Sequence, residues 1–226
     1  MLVIVQARMS SQRFPRKMLG ELGGKKLIDH VYLNLEQAKK VSKVIVATSD
    51  EETDDALHEY CKKRNMTCYR GKLENVAARF LEVSSQYNAD TFIRISGDSP
   101  LIDPELVDEM IQQYLDNEAD IVTNVQKRTY PKGQSVEVIN SKTFRNAYSL
   151  FSKPSHFEHV TPFFYENSSS FRIRNIASKE EYGNINLSVD TPEDLLRLNE
   201  LMAQNLSVSA GWQVMADKYR VLFPDG

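Results

Sequence analysis

The segment from Gln6 to Lys17 carries Arg8, Arg13, Arg16 and Lys17, and no acid occurs in the first twenty residues. Forked guanidiniums and a point-charge lysine suit a polyphosphate, so an anionic ligand is expected at this loop. The glycines of a Walker loop or a dinucleotide fingerprint are missing, and the spacing alone also fits a basic loop in solvent. Further along, Gly97 and Asp98 follow the apolar run Phe92 to Ile95, and Asp190 follows Ile185 to Val189. An acid just past a strand, after a glycine that permits a tight turn, faces whatever lies beyond the strand end. Taken singly, Asp98 also reads as a turn residue and Asp190 as an acid favoured at a helix start. Together, opposite the basic loop, the two acids compose a cradle for a triphosphate and Mg²⁺, an ion held through one or two carboxylates plus phosphate oxygens.

For these groups to meet, a sheet must bring several strand ends to one edge. Short β-branched runs at Leu2 to Val5, Val44 to Ala47, Thr67 to Tyr69, Phe92 to Ile95 and Ile121 to Val122 alternate with helical patterns. Leu27, Ile28, Val31, Tyr32, Leu35 and Ala38 form one helical stripe. Asp50 before two glutamates, and Asp103 before Pro104 and Glu105, signal helix starts. The alternation predicts an α/β fold with a doubly wound, mostly parallel sheet, right-handed crossovers and ligands beyond the carboxyl ends of the strands. The whole chain, 1–226, reads as one domain. Within it, 125–180 reads as an inserted, antiparallel β-rich arm with strands at Val136 to Ile139 and Phe171 to Ile176. Such an arm has a face to bury, and a second copy of the chain would cover it, so a homodimer is expected. Ile185 to Val189 reads as a return to a core strand, and Thr191 to Asp194 opens a helix with Leu195, Leu198, Leu201 and Met202 on one face.

Composition narrows the classes. With 226 residues and 41% hydrophobic content the chain can bury a core without staples. A formal charge of −3 lacks the footprint of a nucleic-acid binder. Cys61 and Cys68 stand in no zinc-ligand spacing and read as reduced packing residues. The apolar start is too short for a signal peptide or a membrane span, so a cytoplasmic protein with no membrane partner is expected.

Three segments carry a resemblance: Gln-Ala-Arg-x-x-Ser-x-Arg-x-Pro-x-Lys at 6–17, Gly-Asp-Ser-Pro-Leu-Ile-Asp at 97–103, and Val-Asp-Thr-Pro-Glu-Asp-Leu at 189–195. In that order, over nearly the full chain, they resemble the sugar cytidylyltransferases. That family includes the 3-deoxy-manno-octulosonate and acylneuraminate enzymes, and the likeness is strongest to the spore coat polysaccharide biosynthesis protein F branch. The resemblance implies a nucleotide-diphospho-sugar transferase-like fold and transfer of CMP from CTP to an acidic or related sugar, with release of pyrophosphate, for surface polysaccharide biosynthesis. It implies that Arg8, Ser11, Arg13 and Lys17 grip the triphosphate, with Arg13, Lys17 and Asp98 catalytic, and that Asp98 and Asp190 hold Mg²⁺. Ala7, Arg70, Asn75 and Arg79 match segments that line the cytosine pocket, while Tyr130, Glu137 and His159 fall where the family places sugar contacts. Arg16 replaces the glycine usual before the lysine, Asn75 a common aspartate, and Asn186 with Leu187 a frequent Arg-Trp pair. The same fold and phosphate grip also serve uridylyl- and guanylyltransferases, and binding of a nucleotide without turnover is the remaining alternative.

His156 and His159, three residues apart beside Glu158, have no further ligand nearby and read as a solvated or packed face rather than a metal site. Phe157, Phe163, Phe164 and Tyr165 read as helix-to-sheet packing, with base stacking as the alternative.

Overall fold

The computed structural model describes residues 1–204 and 210–224. Strand β1 (Leu2–Gln6) runs into the basic loop, a 3₁₀ turn (Lys17–Leu19) and a hairpin of β2 (Glu21–Leu22) and β3 (Lys25–Lys26). Helix α1 (Leu27–Gln37) then leads to β4 (Lys43–Ser49), α2 (Asp55–Lys63) to β5 (Cys68–Gly71), α3 (Val76–Gln86) to β6 (Thr91–Ser96), and α4 (Pro104–Leu115) to β7 (Ile121–Thr123). After β8 (Glu137–Asn140) come α5 (Ser141–Tyr148), α6 (Pro154–His159), α7 (Pro162–Glu166), β9 (Ile173–Asn175), α8 (Pro192–Met202) and α9 (Trp212–Leu222).

The central sheet has seven strands in the order β5-β4-β1-β6-β8-β7-β9. β5, β4, β1 and β6 are parallel, β8 is antiparallel to β6 and β7, and β9 is parallel to β7. Alternation along β1 divides the core. Val3 and Val5 face α1, α2, α4, α8 and α9, whereas Leu2 and Ile4 face α3, α5, α6 and α7. With both faces covered, the parallel strands read as continuous apolar runs, which is what made them visible in the sequence.

Three expectations are corrected. The stretch 125–180, expected as a β-rich arm, contributes β8 and β9 to the main sheet and spends most of its ordered length in α5, α6 and α7. Antiparallel pairing does occur at β8, but β9 joins as a parallel edge strand. Phe144, Phe151 and Phe164 need a shared apolar face, and helices laid on the sheet give it to them. Second, Ile185 to Val189 forms no regular strand. It threads between two loops, with Leu187 N–H donating to Lys132 O at 2.8 Å and Val189 N–H to Asp98 O at 2.8 Å. Its buried Ile185, Leu187 and Val189 gave it a strand-like pattern without a ladder. Third, Asp50 caps nothing: a 3₁₀ turn (Glu52–Asp54) precedes α2. Asp103 does cap α4, accepting from Glu105 N at 2.8 Å ahead of Pro104.

Candidate active site

The parallel strands end on a polar cleft of about 720 Å³, lined by the basic loop on one side and by Ser96, Asp98, Arg79, Glu158, His159 and Asp190 on the others. Position follows from topology. β1 and β6 are neighbours in register, with Gln6 beside Ser96, so the loops that leave them open on the same space. The turn after β6 needs glycine at position 97, where a Cβ would come within 2.9 Å of Met18 Sδ and 3.0 Å of Ala7 Cβ and Gln6 O. That tight contact delivers Asp98 to the cleft. Thr191 caps α8 and forms a capping box with Asp194, which leaves the Asp190 carboxylate free to point inward instead of serving the helix end.

The two acids converge on one cation. Lys17 Nζ lies 3.3 Å from Asp98 Oδ2 and 3.0 Å from Asp190 Oδ1, and donates to Val189 O at 2.8 Å. Arg13 reaches the same Asp190 oxygen at 3.1 Å. Burial pushes the Asp190 carboxyl up, but Lys17 and Arg13 outweigh it and hold the group below the usual carboxylate range. The donor set, two hard carboxylate oxygens on a shared positive point beside guanidiniums, fits Mg²⁺ with phosphate completing its shell. No cluster of three or more His, Cys, Asp or Glu able to hold a metal occurs among the described residues.

The loop is rigidly moored. Asp54, fully buried, accepts from Met9 N at 2.6 Å, from Thr48 Oγ1 and Ser49 N at 2.9 Å each, and from the Ser49 hydroxyl. Ser11 Oγ accepts from Phe14 N. Arg16 adopts the left-handed region, φ 62°, where a glycine is the unstrained choice; its side chain is exposed.

Of the expected nucleotide contacts, Arg8, Ser11, Arg13, Lys17 and Arg79 line the cleft. Arg8 forms an ion pair with Glu158 at 3.0 Å. Arg79 is 1% exposed, and its Nε and Nη1 have no hydrogen-bond partner. Burial lowers its pKa, opposed by the charges of Asp54 and Asp50. Ala7 does not line the cleft: it is buried against the Gly97 turn. Arg70 binds Ser49 O, Glu51 O and Asp55, clamping the loop after β4. Asn75 caps α3 and donates to Tyr148 Oη, at an adjoining groove that also includes Arg8, Leu73 and Glu158.

Of the expected sugar contacts, only His159 lines the cleft. Tyr130 is buried with its ring 4.9 Å from that of Trp212. Glu137 is buried and taken by Arg94 and the Tyr165 hydroxyl. Gln6, Ser10, Gln12, Ser96 and Glu158 line the cleft without having been singled out as ligand contacts. Nothing in their residue type marked them. Asp54 carries a signal, two hydroxyl residues directly before an acid-rich run, but the same run also fits a helix start at Asp50.

A family model described as Cytidylyltransferase matches residues 2–214. The spore coat polysaccharide biosynthesis protein SpsF of Bacillus subtilis (strain 168) is 33% identical over 200 residues, 85% of this chain and 82% of its own. The 3-deoxy-manno-octulosonate cytidylyltransferase of Geobacter sulfurreducens is 31% identical over 177 residues, 77% of this chain and 68% of its own. A cytidylyltransferase structure from Leptospira borgpetersenii superposes with a TM-score of 0.91 at 28% identity, covering 98% of this chain and 94% of that one.

Proposed function

Because the chain belongs to the cytidylyltransferase family, we propose that it moves the CMP unit of CTP onto a hydroxyl of an acidic sugar, releasing pyrophosphate, in the building of a surface polysaccharide. It is a CTP-dependent nucleotidyltransferase. The observation that carries the finer reading is the meeting of Asp98, Asp190 and Lys17 at the mouth of the arginine loop.

The acceptor oxygen forms a bond to the α-phosphorus as the bond to the β-phosphate oxygen breaks, in line, with no covalent enzyme intermediate. Arg8, Arg13 and Ser11 hold the triphosphate, and Lys17 and Arg13 stand where charge on the departing pyrophosphate is offset. Asp98 and Asp190 would hold Mg²⁺, which when bound neutralises phosphate charge and acidifies the attacking hydroxyl. Arg79 lines the cleft, and two of its guanidinium nitrogens have no hydrogen-bond partner. Cytosine presents an acceptor at N3 where uracil carries a proton, so an Arg79 N–H turned to that edge favours CTP over UTP.

No helix among the described residues is long and apolar enough to cross a membrane. We place the reaction in the cytoplasm, where CTP is made, and the active species as a homodimer, which sedimentation at micromolar concentration tests.

The deciding measurement is pyrophosphate release from CTP, UTP and GTP over a panel of sugar acids and sugar phosphates, with Mg²⁺ and with chelator. CTP with a sugar acid and Mg²⁺ is the productive combination on this reading. Preference for UTP or GTP, or CTP binding without pyrophosphate from any acceptor, overturns it. Asp98→Asn lowers kcat about 10²- to 10³-fold while leaving CTP-free stability within about 1 kcal/mol.

A further inference from the structure

Glu158 brings a negative charge to a cleft that gathers cations for phosphate. Its Oε1 accepts from Arg8 Nη2 at 3.0 Å, across 150 positions of sequence. Asp98 and Asp190 sit on Lys17 and Arg13, and Glu158 does not join them: no group of three or more possible metal ligands occurs among the described residues. Mg²⁺ at Asp98 and Asp190 would therefore free Lys17 and Arg13 for phosphate and leave Arg8 with Glu158.

The backbone that presents Glu158 is fixed from both sides. Before it, the Phe157 ring packs edge-on against Tyr148 and Phe151, with centroids 5.9 and 5.8 Å away. After His159 comes Val160, fully buried at φ 72° and ψ −51°, with Thr161 N–H donating to His159 O at 2.8 Å. This is a three-residue turn of the rare, strained kind, adopted by a β-branched residue, and such a conformation persists only where the surroundings impose it. α6 thus delivers the carboxylate to Arg8 from a set position, and the side chain alone is free to turn. It has room to do so, because Glu158 lines both the cleft and the adjoining groove of about 920 Å³, as Arg8 and Leu73 also do.

The charges decide where it turns. The Arg8 charge is one of the causes that lower the pKa of the buried Arg79, so two guanidiniums repel each other in the cleft, and an acid beside Arg8 offsets this. A triphosphate supplies the same relief with more charge. A carboxylate kept on Arg8 would then be repelled by every charged phosphate nearby, whereas the pair it gives up is exposed on both sides, 42% and 44%, and is weak.

We propose that Glu158 is an internal competitor of the triphosphate for Arg8: nucleotide binding displaces its carboxylate toward the groove, and Glu158 sets how tightly phosphate-bearing ligands are held. This inference rests on the nucleotide reading of the cleft and adds the residue that restrains that binding.

Calorimetric titration with CTP at fixed Mg²⁺ of wild type, Glu158→Gln, Arg8→Gln and the double variant tests it, with cytidine as the ligand that carries no phosphate. Glu158→Gln binds CTP about fivefold more tightly than wild type, the size set by one exposed ion pair that holds Arg8 back from the ligand. Cytidine affinity is the same in Glu158→Gln and wild type, which a general loosening of the cleft would not leave unmoved. In the Arg8→Gln background the gain disappears. Where Arg8→Gln binds CTP too weakly to measure, Glu158→Asp carries the comparison: it keeps the charge, has a shorter reach from a fixed backbone, and also binds CTP more tightly than wild type. Unchanged or weaker CTP binding in Glu158→Gln, an equal gain with cytidine, an equal gain without Arg8, or wild-type affinity in Glu158→Asp overturns the inference. A wild type that binds no CTP would instead sink the nucleotide reading on which it stands.

Discussion

The Lys17 ammonium lies 3.0 Å from Asp190, 173 positions along the chain, and 3.3 Å from Asp98 on another loop. One side chain from the N-terminal loop therefore bridges both acids expected to hold a divalent cation. Lys17 is nearly buried, with 9% of its side chain exposed, while the acids keep 24% and 34%. Replacing Lys17 by Met leaves two carboxylates facing each other with only the exposed Arg13 guanidinium, on Asp190, as counter-charge. We expect a loss of about 2 kcal/mol in unfolding free energy, below the range for fully buried pairs because the acids retain solvent. Mg²⁺ without nucleotide should recover part of that loss in Lys17→Met and do little for wild type, because wild type already has a cation at those oxygens. Thermal melts with and without Mg²⁺ check this. Equal Mg²⁺ responses would mean the two acids do not form a common cation site.

Arg79 separates function from stability. Its guanidinium is 1% exposed with Nε and Nη1 unsatisfied, an arrangement that costs folding free energy unless a ligand supplies acceptors. Arg79→Met should leave urea stability unchanged or raise it by up to about 2 kcal/mol. The same change should weaken CTP binding about 10- to 100-fold and narrow the preference for CTP over UTP. Calorimetric titration with the two nucleotides is the measurement. A variant that binds CTP normally removes Arg79 from the base pocket.

Much of this was legible because the informative residues sit at strand ends. Asp98 and Lys17 declared themselves by type and by position beside short apolar runs, and parallel strands buried on both faces gave unbroken hydrophobic words. The expected contacts that do not line the cleft share a cause. Arg70, Tyr130 and Glu137 lie in segments next to the site, yet their side chains turn to Asp55, Trp212 and Arg94. Direction at a loop is set by long-range partners that spacing does not encode. Ile185 to Val189 misled for a related reason: burial on alternate residues looks the same whether the backbone pairs in a ladder or with two loops.

Asp54 is the buried mooring of the cleft loop, and none of its acceptor capacity faces the ligand. It holds Met9 N from the loop and Thr48 and Ser49 from the end of β4. Asp54→Ala strips these donors of their partner in a fully buried setting, which should cost about 2 to 4 kcal/mol. Since the loop carrying Arg8, Ser11 and Arg13 loses its tether, the KM for CTP should rise more than that of the acceptor. Steady-state kinetics on a variant shown to be folded by circular dichroism check this. Equal effects on both substrates would place Asp54 in general stability alone.

Asp190 sets a pH signature. Its carboxyl is raised by burial but lowered more by Lys17 and Arg13, so its pKa in the folded chain lies below the unfolded value near 3.9. A depressed acid stabilises the fold above its unfolded pKa, and that contribution disappears as pH falls through the folded pKa. The window is therefore below about pH 4. With 34% of the side chain exposed, screening keeps the contribution at or below about 1 kcal/mol. Asp190→Asn has no charge to lose, so wild type should exceed it in urea stability at pH 6 and the gap should close toward pH 3. Urea midpoints across that range measure it. A gap that stays constant or widens on acidification would mean that Lys17 and Arg13 do not hold Asp190 as an ion pair in solution.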